Sequence, residues 1–191
     1  INYDLNGKTL GIIGLGRIGK LVGKKVASSL EMNVVGYDRY EEKAKIPEAI
    51  HVDDSALEVL QQSDYISIHV PLNPETRNLI DRKSIDVMKE SAFLINVARG
   101  GVVNETDLIE ALKEKRIAGA AVDVYEQEPP SVENELFSLD NVIVTPHNAG
   151  LTVECMTRMS LDAARGIHEV LSGEVPTWPL NHPNQNNARK K

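Results

Sequence analysis

The chain has 191 residues, of which 41% are hydrophobic and 26% charged, which fits one full globular domain or a domain with an appendage. A formal net charge of -7 argues against a nucleic-acid partner, because phosphate binding needs a basic face. The single cysteine, Cys155, excludes an internal disulfide and fits a reducing, cytoplasmic location. We find no apolar run of the roughly 18 residues that a membrane span needs, and no signal peptide.

Short apolar runs alternate with amphipathic stretches along the chain. In chain order, the sequence predicts strand 8–14, helix 17–30, strand 32–38, a short edge strand at His51, helix 55–62, strand 64–70, helix 82–89, strand 91–97, helix 104–115, strands 117–124 and 141–146, and helix 152–171. Apolar strands separated by helices indicate a parallel sheet covered on both faces. We therefore predict an α/β fold, a Rossmann-type doubly wound parallel sheet of about seven strands.

Local signals refine three of these elements. Ser55 and Asn104 are predicted helix caps, and Gly173 ends the last helix. The proline- and asparagine-rich tail, 174–191, cannot build its own core, so it either docks elsewhere or is disordered, with disorder favoured for 184–191. The first helix is predicted to have an apolar face, with Ile18, Leu21, Val22, Val26 and Leu30 near it.

A glycine-rich turn joins the first strand to the first helix. Gly14, Gly16 and Gly19 form the pattern G-x-G-x-x-G. Gly14 allows the tight turn, Gly16 lets a pyrophosphate approach the backbone, and Gly19 lets the helix pack closely on the strand. The N–H groups of Arg17 and Ile18 then face the phosphates at the positive end of the helix dipole. The pattern predicts a dinucleotide site, and the alternative is a tight turn without a ligand.

An acid follows the second predicted strand, where a dinucleotide site needs one. Asp38 lies 19 residues beyond Gly19, close to the separation expected for an acid that binds the adenosine ribose hydroxyls. Its carboxylate repels a 2′-phosphate, which favours NAD over NADP. Arg39 follows it, and an arginine there can meet a phosphate. The alternative is that Asp38 is a solvated acid at a strand end.

Three further polar residues stand where predicted strands end. Arg99 follows LINVA, Glu128 precedes two prolines, and His147 follows VTP. Ligands of open parallel sheets bind beyond the carboxyl ends of the strands, so these side chains are expected to converge beside the nicotinamide. Taken singly, each has a plainer interpretation as a surface cation, a loop acid or a strand-end histidine.

The chemistry of this trio suits a 2-hydroxy acid. Arg99 can hold a carboxylate or polarise a carbonyl with its planar fork. His147 can take the hydroxyl proton or return it to a carbonyl near neutral pH. Glu128 can orient the imidazole and stabilise its cationic form. The cofactor supplies the hydride chemistry.

Five stretches, in this order, resemble a known family over roughly residues 5–150. They are similar to the nicotinamide-binding domain of the D-isomer-specific 2-hydroxyacid dehydrogenases. The stretches are GKTLGIIGLGRIGK, HVPLNPETRNLI, LINVARGGVVNETDLIEAL, GAAVDVYEQEPP and VTPHNAG. The resemblance implies an NAD-dependent oxidoreductase that acts on a small D-2-hydroxy or 2-keto acid, such as phosphoglycerate, glyoxylate or hydroxypyruvate.

The resemblance also implies roles for single residues. Arg99 binds and orients the substrate, Glu128 and His147 form the acid–base relay, and Asp38 holds the ribose. Asp123 contacts the nicotinamide carboxamide, although a strand-end acid satisfied by the backbone is the alternative. The other implied cofactor contacts are Val70, Pro71, Thr76 and Ala98.

The domain organisation implied by the resemblance has two parts. Residues 1–150 form the NAD-binding domain, and residues 151–191 form a helix and tail that return to a substrate domain whose main part lies outside the chain. We therefore expect the chain alone to bind NAD but to turn over slowly, and the full-length protein to be a homodimer.

Two other functions stay open at this point. An NAD(H)-sensing, corepressor-like protein of the same fold can keep Arg99, Glu128 and His147. A formate dehydrogenase relative is less compatible, because that branch has glutamine where Glu128 stands. We expect His69 to be structural and no metal to bind, because no two histidines have metal-ligand spacing.

Overall fold

A computed structural model describes residues 4–180, so the expectation for 184–191 lies outside the described residues. Over this range the chain forms a seven-stranded sheet in which all neighbouring strands are parallel. The strands are β1 (Thr9–Ile13), β2 (Asn33–Tyr37), β3 (His51–Val52), β4 (Tyr65–Ile68), β5 (Phe93–Asn96), β6 (Gly119–Val122) and β7 (Val142–Val144). The predicted fold class is confirmed, including the edge strand at His51.

The helices of the described range follow the predicted order. They are α1 (Arg17–Ser29), α2 (Ala56–Gln62), α3 (Arg82–Asp86), α4 (Glu105–Lys113) and α5 (Val153–Leu171), with 3-10 turns at Lys43–Lys45 and Glu135–Ser138. Ser55 and Asn104 accept the capping hydrogen bonds predicted for α2 and α4. Helix α3 is shorter than the predicted 82–89, because the chain leaves it in a tighter turn in which the Met88 N–H donates to the Ile85 carbonyl.

The strand order places a crevice at the centre of the sheet. The order is β3-β2-β1-β4-β5-β6-β7, so β1 lies between β2 and β4. Gly11 of β1 is in register with Val35 of β2 on one side and with Ile66 of β4 on the other. Strands β2 and β3 follow β1 toward one edge of the sheet, and strands β4 to β7 follow one another toward the other edge. A ligand crevice opens beyond the carboxyl ends of the strands at such a reversal.

Both faces of the sheet are covered, as predicted. Leu10 and Ile12 of β1 belong to one apolar cluster, and Ile13 belongs to a second, larger cluster. Val34 and Val35 of β2 divide between the two clusters in the same way. Because successive side chains of a strand point to opposite faces, the two clusters lie on opposite sides of the sheet.

Helix α1 turns glycines toward the sheet, which corrects the predicted apolar face. Gly19 and Gly23 are its buried residues. A Cβ atom on Gly19 would stand 2.0 Å from the Gly14 carbonyl oxygen. The helix therefore packs through its backbone, and only Val22 and Val26 of the predicted face contact the core. Three residues of the predicted apolar face are exposed: Ile18, Leu21 and Leu30.

The chain divides into two compact units, residues 1–149 and 150–191. In the second unit, Thr152 caps α5, and Gly173 follows the helix with a φ of 77°, as the predicted helix end requires. No residue of α5 is buried. Its exposed apolar side chains include Val153, Met156, Met159, Leu161, Ile167 and Val170. Among residues 4–180, none of the helices combines the length and the apolar character that crossing a bilayer requires.

We expect Gly19→Ala to destabilise the first unit by about 1–3 kcal/mol, because the new methyl group overlaps the Gly14 carbonyl. Gly16→Ala is the matched control, since a Cβ at Gly16 meets nothing within 4 Å. The Gly16→Ala substitution should lower the free energy of unfolding by less than about 1 kcal/mol, because it changes only the N-cap of α1. Urea unfolding followed by circular dichroism measures both variants, and equal losses would contradict the packing described here.

Candidate active site

The glycine turn leaves an open cradle at the start of α1. Gly14 has a φ of 98°, and a Cβ there would stand 2.7 Å from the His69 carbonyl carbon, so only glycine fits. Gly16 is the N-cap of α1 and has no side chain to cap the helix, and the space beside it is empty. The first-turn N–H groups, including those of Arg17 and Ile18, therefore have no side-chain cap at the positive end of the helix. A pyrophosphate fits this arrangement.

Asp38 is fixed beside this cradle. One carboxylate oxygen accepts the Leu15 N–H at 2.7 Å. The other accepts the N–H groups of Tyr40 and Glu41 at 2.8 and 2.9 Å. Because Leu15 lies inside the glycine turn, these bonds tie the end of β2 to the cradle. The contact of Asp38 with a ribose stays a prediction.

The loop after β4 forms the other wall of the crevice. The Thr76 hydroxyl donates to the Pro71 carbonyl at 2.6 Å, which closes the loop upon itself. Val70 is half-buried, and its side chain lies close to Gly14. His69 lies beneath this wall, with Nε2 at 2.9 Å from the Ser67 hydroxyl, and burial lowers its pKa. His69 is half-buried and hydrogen-bonded within the chain, and its structural role stays a prediction.

Glu128 and His147 meet at the same edge of the sheet. Glu128 Oε2 lies 2.8 Å from His147 Nδ1, and Oε1 accepts the Tyr125 N–H at 3.0 Å. The hydrogen bonds from His147 and Tyr125 lower the pKa of Glu128, and the positive charge of Arg99 adds to the effect. Glu128 is thus ionised at neutral pH, so Nδ1 donates to it and Nε2 remains for a reactant. The side chains are 38% and 46% exposed, which lets a substrate reach them.

Arg99 projects from the neighbouring loop. It is exposed, and its guanidinium donates to the Ala98 carbonyl at 2.6 Å. The buried Asn96 side chain fixes this turn by accepting the Ala98 N–H and donating to the Arg99 carbonyl. A Cβ on Gly100 would stand 1.7 Å from the Tyr125 carbonyl oxygen, so the Arg99 loop lies directly against the loop that leads to Glu128. Arg99, Glu128 and His147 therefore belong to adjacent loops at one edge.

Asp123 holds the loop that carries His147. Only 3% of Asp123 is exposed. Oδ1 accepts the Thr145 hydroxyl at 2.5 Å and the Asn148 N–H at 2.9 Å, and Oδ2 accepts the Ala149 N–H at 2.9 Å. Three of about four acceptor positions of the carboxylate are thereby used within the chain. These contacts agree with the alternative interpretation of Asp123, an acid at a strand end that is satisfied within the chain. The contact of Asp123 with the nicotinamide carboxamide stays a prediction.

Glu105 is a positioning residue that the sequence reasoning missed. Its carboxylate accepts the Glu126 N–H at 3.1 Å and the Asn134 amide at 2.7 Å. Glu126 in return accepts the Glu105 N–H at 3.1 Å. These bonds hold both ends of the segment that contains Glu128. An acid in the first turn of a helix signals only a favourable dipole interaction, so the sequence pattern alone could not show this role.

An apolar cavity of about 620 Å³ adjoins the Glu128–His147 pair. Its other walls are Tyr125, Pro129, Pro130, Phe137, Val144, Thr145 and Pro146. Over residues 4–180, no group of three or more histidine, cysteine or carboxylate side chains has the geometry to hold a metal ion.

The fold and the site define a dinucleotide-binding α/β domain with a carboxylate–imidazole pair at its ligand edge. The family model of the D-isomer specific 2-hydroxyacid dehydrogenase NAD binding domain matches residues 1–149. The chain therefore belongs to the D-isomer specific 2-hydroxyacid dehydrogenase family and carries its NAD-binding domain. The resemblance seen in the sequence is confirmed, as is the cofactor class.

Individual relatives agree with this assignment. The chain is 46% identical over 183 residues to a D-3-phosphoglycerate dehydrogenase of Methanocaldococcus jannaschii, covering 95% of this chain and 34% of that protein. It is 46% identical over 181 residues to a glyoxylate reductase of Thermofilum pendens, covering 93% and 52%. The NAD-complexed D-isomer specific 2-hydroxyacid dehydrogenase of Lactobacillus delbrueckii ssp. bulgaricus has a TM-score of 0.85 at 31% identity, covering 95% and 58%. The chain thus spans about a third to somewhat over half of these proteins.

We predict that Asp123→Asn loosens the His147 loop. The amide group replaces one acceptor oxygen with a donor that faces N–H groups, so the free energy of unfolding at pH 7 should fall by about 1–3 kcal/mol. Hydrogen exchange of the 145–149 amides should accelerate at the same pH. Asp140→Asn, which changes an exposed acid just before β7, is the control.

The difference between Asp123→Asn and the native chain should depend on pH. Burial acts to raise the pKa of Asp123, but its hydrogen bonds outweigh burial and the pKa is lowered overall. A group with a lowered pKa stabilises the folded state above its ordinary value of about 4, and this contribution disappears as the pH falls through the lowered value. The two stabilities should therefore converge in acid, and a pH-independent difference would contradict the clamp.

Proposed function

We propose that this chain is the cofactor-binding part of an NAD-dependent dehydrogenase that interconverts a small D-2-hydroxy acid and its 2-keto acid. The 2.8 Å Glu128–His147 hydrogen bond, on loops adjacent to Arg99, carries the proposal. The bond joins His147, a proton carrier, to Glu128, an anion that stabilises the charged form of the imidazole. Arg99 supplies a cation for the substrate carboxylate. Phosphoglycerate, glyoxylate and hydroxypyruvate are the candidate substrates, and the dehydrogenase and reductase names of the relatives support this class.

In the oxidation direction, each side chain has one task. Arg99 leaves the Ala98 carbonyl and binds the substrate carboxylate, which orients the carbon that bears the hydroxyl group. His147 Nε2 accepts the hydroxyl proton. Glu128 accepts the Nδ1–H bond and stabilises the imidazolium that forms. NAD, when bound, supplies the hydride acceptor. In reduction, the imidazolium returns the proton to the carbonyl oxygen.

Residues of both crevice walls are proposed to hold NAD. The cradle at the start of α1 takes the pyrophosphate, Asp38 takes the ribose hydroxyls, and Asp123 takes the carboxamide through its remaining acceptor position. The open space at Gly16, which a Cβ would enter, supports this fit. The proposed contacts of the cofactor are Gly14, Gly16, Arg17, Ile18, Gly19, Asp38, Val70, Pro71, Thr76, Ala98 and Asp123.

The wider setting is also a proposal. Residues 151–191 return to a substrate domain, and the full-length protein is a cytoplasmic homodimer without nucleic-acid or membrane partners. The exposed apolar side chains of α5 support burial against another surface. The net charge of -7 and the single cysteine support the remainder. The corepressor alternative finds no support among the relatives described above.

NADH titration and turnover test this function. A calorimeter should register heat when NADH is added to the chain, and Gly16→Ala should weaken the affinity at least about tenfold without unfolding, since its methyl group enters the phosphate cradle. The full-length protein should oxidise NADH with glyoxylate, hydroxypyruvate or 3-phosphohydroxypyruvate. Tight NADH binding without turnover of any of them would favour a sensor instead.

Glu128→Gln should shift the pH optimum of hydroxy-acid oxidation downward and reduce kcat. The hydrogen bond that lowers the pKa of Glu128 also favours the imidazolium, so its loss in the neutral amide shifts the pair toward the unprotonated base. Steady-state rates of the full-length protein across pH measure the shift. Glu133→Gln, which changes an exposed acid of the same loop, should leave the profile in place. An unchanged profile in Glu128→Gln would contradict the pairing.

A further inference from the structure

A cluster of charged side chains spans the mouth of the proposed adenosine site. Arg39 and Tyr40 follow β2, and Glu75 lies in the loop after β4. Arg39 Nη1 stands 3.4 Å from Glu75 Oε2, and the Tyr40 hydroxyl donates to the same oxygen. The Arg39 guanidinium also lies 5.7 Å from the centre of the Tyr40 ring. One carboxylate thus links the two loops on either side of β1.

A second cation near Asp38 is also neutralised. Lys20 of α1 is 3.0 Å from the Glu41 carboxylate, and the Glu41 N–H binds Asp38. Lys20 and Arg39 are therefore each paired with a glutamate. The hydrogen bonds that Asp38 accepts come from backbone N–H groups and not from the side chains of Lys20 or Arg39. The electrostatic environment at the end of β2 is anionic despite the arginine that follows Asp38 in the sequence.

This arrangement bears on the choice between NAD and NADP. An arginine that follows the acid of β2 is placed to bind a 2′-phosphate, because a guanidinium matches phosphate geometry with two parallel hydrogen bonds. We propose that Glu75 is a cofactor-specificity determinant: it holds Arg39 and withholds the guanidinium from a 2′-phosphate, so that the site selects NAD(H) over NADP(H). The inference rests on the cofactor site of the proposed function.

The expected size of the effect follows from the exposure of the pair. The Arg39 and Glu75 side chains are 63% and 50% exposed, so solvent screens their attraction and its removal has a modest effect. Without the carboxylate, the Arg39 guanidinium is available to a 2′-phosphate. We therefore expect Glu75→Gln to tighten NADPH binding about three- to fivefold, as one exposed charge interaction allows. NADH binding should change less than about twofold, because NADH has no 2′-phosphate.

Fluorescence titrations of NADH and NADPH on the 191-residue chain test the proposal. The variants are Glu75→Gln, Arg39→Gln and the double variant. The gain in NADPH affinity should vanish in the double variant, because no guanidinium remains, and it should shrink as salt is added. Glu42→Gln is the matched control, since Glu42 is an exposed acid of the loop that carries Arg39 and pairs with Lys45 at 3.1 Å. Urea midpoints verify that each variant is folded.

The outcomes separate the inference from the function on which it rests. An unchanged NADPH to NADH ratio in folded Glu75→Gln would overturn the role of Glu75 while NADH binding still supports the cofactor site. A gain that persists in the double variant, or that Glu42→Gln reproduces, would overturn it as well. Absence of NADH binding to the native chain would instead overturn the cofactor site, and the inference with it.

Discussion

One buried carboxylate fixes the loop on which the proposed chemistry depends. Asp123 directly follows β6 and accepts three hydrogen bonds from the segment after β7. His147, inside this segment, has a φ of 52°, a conformation that a non-glycine residue keeps when its surroundings hold it there. The Tyr125 hydroxyl adds a second link by donating to the Thr145 carbonyl at 2.9 Å. The Glu128–His147 bond therefore forms between two loops that are already joined.

The two halves of the crevice are built by different means. On the side of β1 and α1, backbone approach dominates, because Gly14 and Gly19 bring turn, helix and β4 within contact distances that a Cβ would prevent. On the side of β5 to β7, side-chain carboxylates bind backbone N–H groups of the next loop. A phosphate cradle needs exposed backbone, whereas a proton relay needs side chains at fixed distances. The sheet order supplies both at one edge.

The sequence correctly predicts the features that depend on a local pattern of residues. The strands, the helix caps and the glycine turn have signatures within a few residues, and their structures agree. The prediction for the apolar face of α1 was wrong. The helix packs through Gly19 and Gly23, which leaves apolar side chains such as Ile18 exposed, and hydrophobic periodicity does not detect such glycine packing. The bonds of Glu105 and Asp123 join positions more than 20 residues apart along the chain, so they appear only in three dimensions.

The surroundings of each carboxylate decide which one can serve in proton transfer. Asp38, Asp123 and Glu105 accept hydrogen bonds from backbone N–H groups, a threonine hydroxyl or an amide, none of which titrates near neutral pH. Such donors fix a carboxylate in place but cannot exchange a charge with it. Glu128 instead gives one oxygen to a backbone N–H and the other to an imidazole, the side chain whose charge changes most readily between about pH 5 and 8. Among these acids, only Glu128 is therefore placed to stabilise a proton that arrives from a substrate.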